Sequence, residues 1–312
     1  MDKPKDQDLV FKLESVVKNL KKYGFSKGKG SVLTLEEIEE LEQIIDHLHS
    51  DPLIKLDYCS NAPVVVGLAG RSARLDYFLE KMLTSVQVKD VLKNILGKTY
   101  KIWQIDSRIS EVGDKGLGLH QDSLGQVNFV FFISNQESGG VTGFLPRSHL
   151  LPRWARNISW GYAPIAKYFL TALAGSAGEH AFFFNKTWHA RLPNQTGFPK
   201  KVIMIAFFPE SASYAPDPFM TDSSCSISGR ELNRLISVKE GVDILSDNRV
   251  LVSSKKLINS NKLPYSIEIE KSFDFSLKTA FVYFKICFLE LLFRPAYCVY
   301  WLLRSKRKVS TN

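Results

Sequence analysis

Hydrophobic positions in the first third of the chain recur at helical spacing. A helical stretch is predicted near residues 9–20. Thr34 and Glu37 form a capping-box pattern, and apolar residues follow it at spacings of three and four: Leu35, Ile38, Leu41, Ile45 and Leu48. A further helical pattern covers residues 73–96 and ends at Gly97, since glycine is favoured just past the end of a helix. The chain is therefore predicted to begin with helices.

Beyond Gly97 the pattern changes to short apolar and aromatic runs bounded by Gly, Pro, Asn and Ser. Five strands are predicted, over residues 100–105, 127–133, 143–146, 181–184 and 202–208. Because helices precede these strands and do not alternate with them, a β-sandwich or barrel is favoured over a doubly wound parallel sheet. Residues 147–175 interrupt the strands with aromatic and basic side chains, and they either cover a site or form a surface helix on the sheet.

The last hundred or so residues fall into two segments of different composition. Residues 211–270 are polar and rich in serine, which predicts a connecting region. Residues 271–312 are aromatic and aliphatic and end in a basic cluster, but their longest uncharged run, residues 295–303, is far shorter than the roughly 18 apolar residues of a membrane span. Two alternatives stay open for this segment: an interfacial helix on an anionic membrane surface, or a helix pair packed on the sheet domain.

Composition narrows the class of protein. The chain contains 312 residues, of which 45% are hydrophobic and 23% are charged. These values disfavour a disordered chain, and the sequence has neither the glycine period of collagen nor the several long apolar runs of a polytopic membrane protein. The formal net charge is +9, but residues 271–312 hold eight basic against two acidic residues, so the rest of the chain carries only +3. A nucleic-acid partner is therefore not expected.

Cysteine usage and the first residues bear on the compartment. The cysteines are widely spaced, so neither a structural zinc site nor a disulfide framework is predicted for Cys59, Cys225, Cys287 and Cys298. The first residues are polar, and no apolar stretch with a cleavage site follows them. We expect a cytoplasmic location, with peripheral binding at the inner face of a membrane if the C-terminal segment docks there.

A candidate metal motif lies in His120-Gln121-Asp122, shortly before a predicted strand. An imidazole and a carboxylate two positions apart can bind one metal ion, and a second imidazole from a distant strand would complete the facial triad of non-haem Fe(II) oxygenases. His189 is the best candidate for that ligand, because it lies just past the predicted strand 181–184, where the chain opens into a loop. The other histidines are assigned to a helix, a turn or a strand start: His47, His49, His149 and His180.

The ordered set of motifs resembles the phytanoyl-CoA dioxygenase family of Fe(II)- and 2-oxoglutarate-dependent oxygenases over residues 23–210. Four parts of the sequence carry the resemblance: Tyr23-Gly24-Phe25 with the helix after it, His120-Gln121-Asp122, residues 139–149, and residues 178–184 with His189 and Asn194. The resemblance implies an α+β, mainly β fold, in which N-terminal helices flank a double-stranded β-helix (jelly-roll, cupin-like) barrel. A C-terminal helical extension would follow it.

The resemblance also implies that His120, Asp122 and His189 bind Fe(II), with 2-oxoglutarate and O2 as cosubstrates. In the family a basic residue, normally arginine, lies eleven positions beyond the distal histidine and binds the far carboxylate of 2-oxoglutarate. This sequence has Lys200 there, which offers a point charge rather than a planar bidentate fork. Two further residues are candidates for the cosubstrate site, as a rival carboxylate partner and as a neighbour: Arg191 and Gln121.

The carboxylate of Asp122 favours hydroxylation over halogenation, because a halogenase on this scaffold needs that metal position for halide. The predicted function is a dioxygenase that hydroxylates a small-molecule, lipid or lipid-linked substrate and releases succinate and CO2. The alternative is a catalytically silent protein of this fold that serves as a peripheral membrane or assembly module. The predicted units are an N-terminal extension (1–22), the dioxygenase domain (23–210), a connecting region (211–270) and the C-terminal segment (271–312).

Overall fold

The computed structural model describes residues 4–28, 30–54, 56–97, 100–121, 127–136, 139–150, 166–209 and 242–244, together with Phe284 and Phe288. The α-helices in these ranges are α1 (Pro4–Tyr23), α2 (Leu35–Ser50), α3 (Ala73–Thr84) and α4 (Val86–Leu96). Short 3-10 helices cover Ser148–Leu150 and Ala166–Phe169. Most of the predicted segments 211–270 and 271–312 lie outside the described residues.

The strands form two sheets. The larger has the order β1-β9-β6-β11-β4-β3-β2, with β12 alongside β4, and its strands are β1 (Phe25–Lys27), β2 (Asp57–Cys59), β3 (Ala62–Val66), β4 (Tyr100–Ser110), β6 (Val127–Phe132), β9 (His180–Phe184), β11 (Lys200–Pro209) and β12 (Val242–Ile244). The smaller has the order β5-β10-β7-β8, with β5 (Leu117–His120), β7 (Thr142–Phe144), β8 (Thr171–Ala172) and β10 (His189–Arg191). Apart from the parallel pair β12 and β4, neighbouring strands are antiparallel.

The larger sheet buries a different apolar surface on each face. One face packs on the helices, in a cluster that includes Leu41 of α2, Phe78 of α3 and Ile205 of β11. The other face packs on the smaller sheet, where Phe144 of β7 meets Phe183 of β9 at a ring-centroid distance of 5.0 Å. The predicted mainly β core with preceding helices is confirmed. No ladder joins the two sheets within the described ranges, so these layers form a sandwich consistent with a jelly roll rather than a closed barrel.

The predicted single helical pattern at residues 73–96 is wrong in one respect, because two helices occupy it. Ser85 separates them with extended backbone (φ −61°, ψ 138°) and caps the second, accepting a hydrogen bond from the Val88 amide. A serine hydroxyl satisfies an amide that a helix start leaves without a partner, which favours an interruption at this position. The helix predicted after Thr34 is confirmed, including the reciprocal bonds of its capping box with Glu37.

Helix α2 is joined to the larger sheet by partly buried polar contacts. Lys201 of β11 donates to Glu42 and Asp46 at 2.8 Å. His49 places its Nε2 atom 2.9 Å from the Ser107 hydroxyl oxygen on β4.

In the part of the chain that the structure describes, no helix combines the length and apolar character needed to cross a bilayer.

Two histidines on the helix-facing side of the sheet, the buried His180 and the half-buried His49, have lowered pKa values. Burial lowers the pKa of His180 to about 4, against a smaller raising effect of Glu179. Burial likewise lowers the pKa of His49 to about 4, against a smaller raising effect of Asp46. Since the unfolded chain binds protons on these imidazoles at higher pH than the folded chain does, acid favours unfolding.

We therefore expect the free energy of unfolding to fall as the pH decreases from about 6.5 towards 4, with a contribution from His180 of up to about 3 kcal/mol. This contribution is fully present above the pKa of the unfolded state. Urea unfolding followed by circular dichroism at about pH 7 and about pH 5 measures it. His180→Gln should lose less stability between these two conditions than the wild type, whereas the exposed control His47→Gln should lose the same amount. An unchanged pH dependence in His180→Gln would contradict the assignment.

Candidate metal centre

The smaller sheet brings two of the predicted ligands together. His120 ends β5 and His189 begins β10, and the two residues are direct partners in the antiparallel register. Their ring centroids lie 4.4 Å apart, with an angle of 51° between the ring planes. The pairing thus brings together the imidazoles of two residues that are 69 positions apart in sequence.

The hydrogen bonds of both imidazoles fix the same tautomer. His120 Nδ1 lies 2.7 Å from the Gly118 carbonyl oxygen, and His189 Nδ1 lies 2.8 Å from the Thr187 carbonyl oxygen. A carbonyl oxygen can only accept, so Nδ1 carries the proton in each ring and the lone pair lies on Nε2. A carbonyl partner on the second nitrogen is the arrangement that metal-ligating histidines usually have.

The distal histidine has a mostly apolar environment. His189 is 5% exposed, and its ring packs against Phe183 and Phe144 at centroid distances of 5.1 and 5.7 Å. His120 is only half-buried. One side of the pair therefore faces the space between the sheets and the other faces outward, which suits a centre that admits small molecules while excluding most water.

The third predicted ligand, Asp122, lies outside the described residues, as do residues 123–126. Among the described residues, no group of three side chains could hold a metal ion. The two imidazoles with their Nε2 lone pairs, and the carboxylate that the sequence supplies two positions after His120, nevertheless match the donor set of a 2-His-1-carboxylate iron site. The residues present therefore fit Fe(II).

Gln121 connects the two ligand strands. Its side-chain amide donates a hydrogen bond to the Lys186 carbonyl oxygen, in the turn before β10. This contact holds the end of β5 against the β9–β10 turn. A role for Gln121 beside a cosubstrate stays a prediction.

Lys200 lies inside the sandwich at the start of β11. It is 4% exposed, and its Nζ atom donates to the Asn135 carbonyl oxygen at 2.9 Å. Val202 and Met204, which share its strand face, pack in the cluster between the sheets. In the described ranges no carboxylate pairs with Lys200, whereas the adjacent Lys201 pairs with Glu42 and Asp46. A buried ammonium without a counter-ion is unfavourable, so Lys200 is suited to bind an anion.

Arg191 has a carboxylate partner within the chain. Its Nε atom lies 2.7 Å from an Asp114 carboxylate oxygen, and its guanidinium also donates to the Cys59 carbonyl oxygen. Burial alone would raise the pKa of Asp114, but Arg191, the Gly116 amide and the Ser110 hydroxyl outweigh burial and the pKa lies below its ordinary value. The Arg191 charge is thus balanced, which leaves Lys200 as the better candidate for an external carboxylate.

The other histidines do not join the pair. His149 lies in the first 3-10 helix with its Nε2 atom 3.0 Å from the Lys21 carbonyl oxygen, and His180 packs against Phe129 on the helix-facing side. Thr187 is a site residue that sequence reasoning missed, since it supplies the carbonyl that orients His189. The sequence signal that could have identified Thr187 is its position two residues before His189. Gly118, whose carbonyl orients His120, likewise lies two residues before that histidine.

No protein-family model matches the chain, and no curated protein matches it. Solved structures do. It is similar to SnoK, a non-heme alpha ketoglutarate dependent carbocyclase from nogalamycin biosynthesis, with 13% identity, a TM-score of 0.55 and coverage of 77% of this chain and 96% of SnoK. It is similar to the epimerase SnoN of the same biosynthesis, with 16% identity, a TM-score of 0.53 and coverage of 77% and 95%.

A crystal structure of SnoN in complex with Fe3+, alpha ketoglutarate and nogalamycin RO also matches, with 15% identity, a TM-score of 0.52 and coverage of 68% of this chain and 96% of SnoN. The match to EvdMO1, at 16% identity and a TM-score of 0.50, covers 64% of this chain and only half of that one. At these identities the likeness shows the fold alone. The chain thus has the fold of non-haem 2-oxoglutarate-dependent enzymes, and membership of the phytanoyl-CoA dioxygenase family stays a prediction.

We expect the purified protein to bind about one Fe(II) or Co(II) ion per chain under anaerobic conditions, as the single donor set implies. His120→Ala or His189→Ala should weaken the metal affinity by more than about 100-fold. Even the loss of a group that only hydrogen-bonds to a metal ligand weakens the affinity about 10- to 100-fold. Isothermal titration calorimetry measures the affinity, with His47→Gln as the control that removes an exposed histidine. Equal affinities in all four proteins would contradict the site.

Proposed function

We propose that the protein is an Fe(II)- and 2-oxoglutarate-dependent oxygenase. The observation that supports the proposal is the cross-strand pair of His120 and His189, in which the Nδ1 contacts leave Nε2 as the ligating nitrogen of each ring. Asp122 would complete the ligand set. Fe(II) with 2-oxoglutarate supplies the activation of O2 that oxidation of an unactivated C–H bond requires.

The chain's own residues would bind, orient and shield the reactants. Lys200 would bind the far carboxylate of 2-oxoglutarate through its ammonium, which is buried and has no carboxylate partner among the described side chains. Phe144 and Phe183 make the interior side of His189 apolar and keep water away from it. The turn that Gln121 contacts would keep the two imidazoles opposite each other.

The proposed reaction is hydroxylation of a small-molecule, lipid or lipid-linked substrate with release of succinate and CO2. The carboxylate at position 122 supports hydroxylation over halogenation. Two proteins of similar fold are named a carbocyclase and an epimerase, so the fold by itself does not specify the outcome. The alternative, a catalytically silent protein of this fold, predicts no productive binding of 2-oxoglutarate.

Anaerobic addition of Fe(II) and then 2-oxoglutarate should produce the visible metal-to-ligand charge-transfer band of a chelated 2-oxo acid. Lys200→Ala should raise the 2-oxoglutarate concentration for half-maximal absorbance by about 10- to 100-fold, since a hydrogen bond to a charged group contributes about 1.5–3 kcal/mol. Lys200→Arg should retain most of the affinity, because guanidinium also pairs with a carboxylate.

Lys201→Ala is the matched control, because it removes the neighbouring ammonium, which faces helix α2. It should leave the titration unchanged. Folded protein that binds Fe(II) but gives no band would favour the silent alternative. If Lys200→Ala gives the band with an unchanged affinity for 2-oxoglutarate, the role of Lys200 is refuted, but the assignment as an oxygenase is not.

A second proposal assigns residues 271–312 to an anionic membrane surface. Phe284 and Phe288 are helical residues one turn apart, and their side chains are exposed (69% and 51%) with rings stacked at 6.3 Å. The segment also carries eight basic against two acidic residues. Exposed aromatic rings in a segment whose sequence is rich in basic residues support binding in the interface of an anionic leaflet.

Deletion of residues 271–312 should reduce sedimentation with vesicles that contain phosphatidylserine, and the double variant Phe284→Ser/Phe288→Ser should reduce it in the full chain. The physical reason is the loss of buried aromatic area and of attraction between basic residues and anionic lipid. Vesicles of phosphatidylcholine alone are the control for non-specific pelleting. If full-length and truncated proteins sediment equally with anionic vesicles, the segment instead has a role within the protein.

A further inference from the structure

Thr187, in the turn between β9 and β10, has hydrogen bonds through all of its polar groups. It is fully buried, its amide donates to the Phe184 carbonyl oxygen at 2.8 Å, and its carbonyl oxygen lies 2.8 Å from His189 Nδ1. Its hydroxyl donates to the Gly24 carbonyl oxygen at 2.9 Å. The residue that orients the distal histidine is therefore tied to a segment 163 positions earlier.

The corner between α1 and β1 is shaped to receive this hydroxyl. Gly24 has φ +88°, a conformation that glycine adopts without strain. A Cβ atom on Gly24 would lie 2.4 Å from Thr187 Oγ1 and 2.5 Å from His149 Nδ1, so a larger residue could not occupy the position without displacing one of them. The close fit places the main chain of the corner directly against the Thr187 side chain.

The corner is itself held independently of Thr187. The Gly24 carbonyl oxygen also accepts from the Phe184 amide at 2.9 Å, and the Tyr23 carbonyl oxygen accepts from the Arg147 amide at 2.8 Å. His149 contacts the Lys21 carbonyl oxygen at 3.0 Å, and Leu20 of α1 is fully buried. A rigid support of this kind can fix the direction of a carbonyl that depends on it.

We propose that Thr187 is a positioning residue for His189, and that its hydroxyl anchors the orienting carbonyl to the α1–β1 corner. The inference deepens the proposed function and rests on it, since it concerns the same metal centre. His120 differs, because its orienting carbonyl belongs to the exposed Gly118. The distal ligand is thus the one that the fold holds rigidly.

The test compares Thr187→Val with Thr187→Ser in the full chain. Valine keeps the shape and removes the hydroxyl, and the Gly24 carbonyl oxygen retains the Phe184 amide as its partner. Thr187→Val should weaken Co(II) binding by about 10-fold, the lower end of the range for loss of a group that orients a ligand, because the orienting carbonyl remains and only its anchor is lost. It should also alter the intensity of the Co(II) visible bands, which report ligand geometry. Thr187→Ser should restore the affinity to within a few-fold of the wild type, since it returns the hydroxyl.

Ser107→Ala is the matched control. Ser107 is also fully buried with a hydroxyl contact of 2.9 Å, to His49, but it faces the helices. It should reduce stability without changing Co(II) affinity or the spectrum. If Thr187→Val bound Co(II) with the affinity of the wild type, or if Ser107→Ala lost as much affinity as Thr187→Val, the role of Thr187 would be refuted. The proposed function would not be affected by either result. A wild-type protein that binds no Co(II) through His120 would overturn the proposed function as well.

Discussion

The candidate site depends on the register between β5 and β10. The antiparallel pairing of His120 with His189 places the two imidazoles opposite each other, and a register slip of one residue would turn one ring to the other face of the sheet. Contacts on both sides hold this register. Gln121 binds the turn before β10, and the Asp114–Arg191 ion pair joins the loop before β5 to the end of β10.

The balance of buried charge distinguishes the two cationic residues that the sequence left as rivals. Arg191 lies two positions from His189, but its charge is matched by Asp114, whose other contacts are the Ser110 hydroxyl and the Gly116 amide. Separating the half-buried Arg191 guanidinium from the buried Asp114 carboxylate would be unfavourable, so Arg191 is expected to keep that partner. Lys200 has only a carbonyl oxygen among the described groups and is therefore able to accept a carboxylate without breaking an ion pair.

Local pattern in the sequence predicted the larger features of the fold and two site histidines. The capping box at Thr34 and the runs that became β6, β9 and β11 follow from residue types at fixed spacing. His120 was selected by its two-residue spacing from a carboxylate and His189 by its place after a predicted strand, and the structure pairs the two residues. The short edge strand β2 was missed, since three residues carry too little periodic signal. The Thr187–Gly24 contact and the Asp114–Arg191 pair were also missed, because they join residues 163 and 77 positions apart and depend on tertiary packing.

Strand alternation explains how one sheet serves both stability and a candidate site. Successive side chains of a strand point to opposite faces, so neighbouring residues of β11 have different surroundings. Lys201 faces α2 and is neutralised by Glu42 and Asp46, whereas Lys200 faces the smaller sheet. Glu42 and Asp46 of α2 thus pair with the lysine that lies on their own side of the sheet and not with Lys200. The same period of two that makes β11 a core strand therefore leaves one positive charge directed into the space between the sheets, where a dicarboxylate would supply the missing counter-ion.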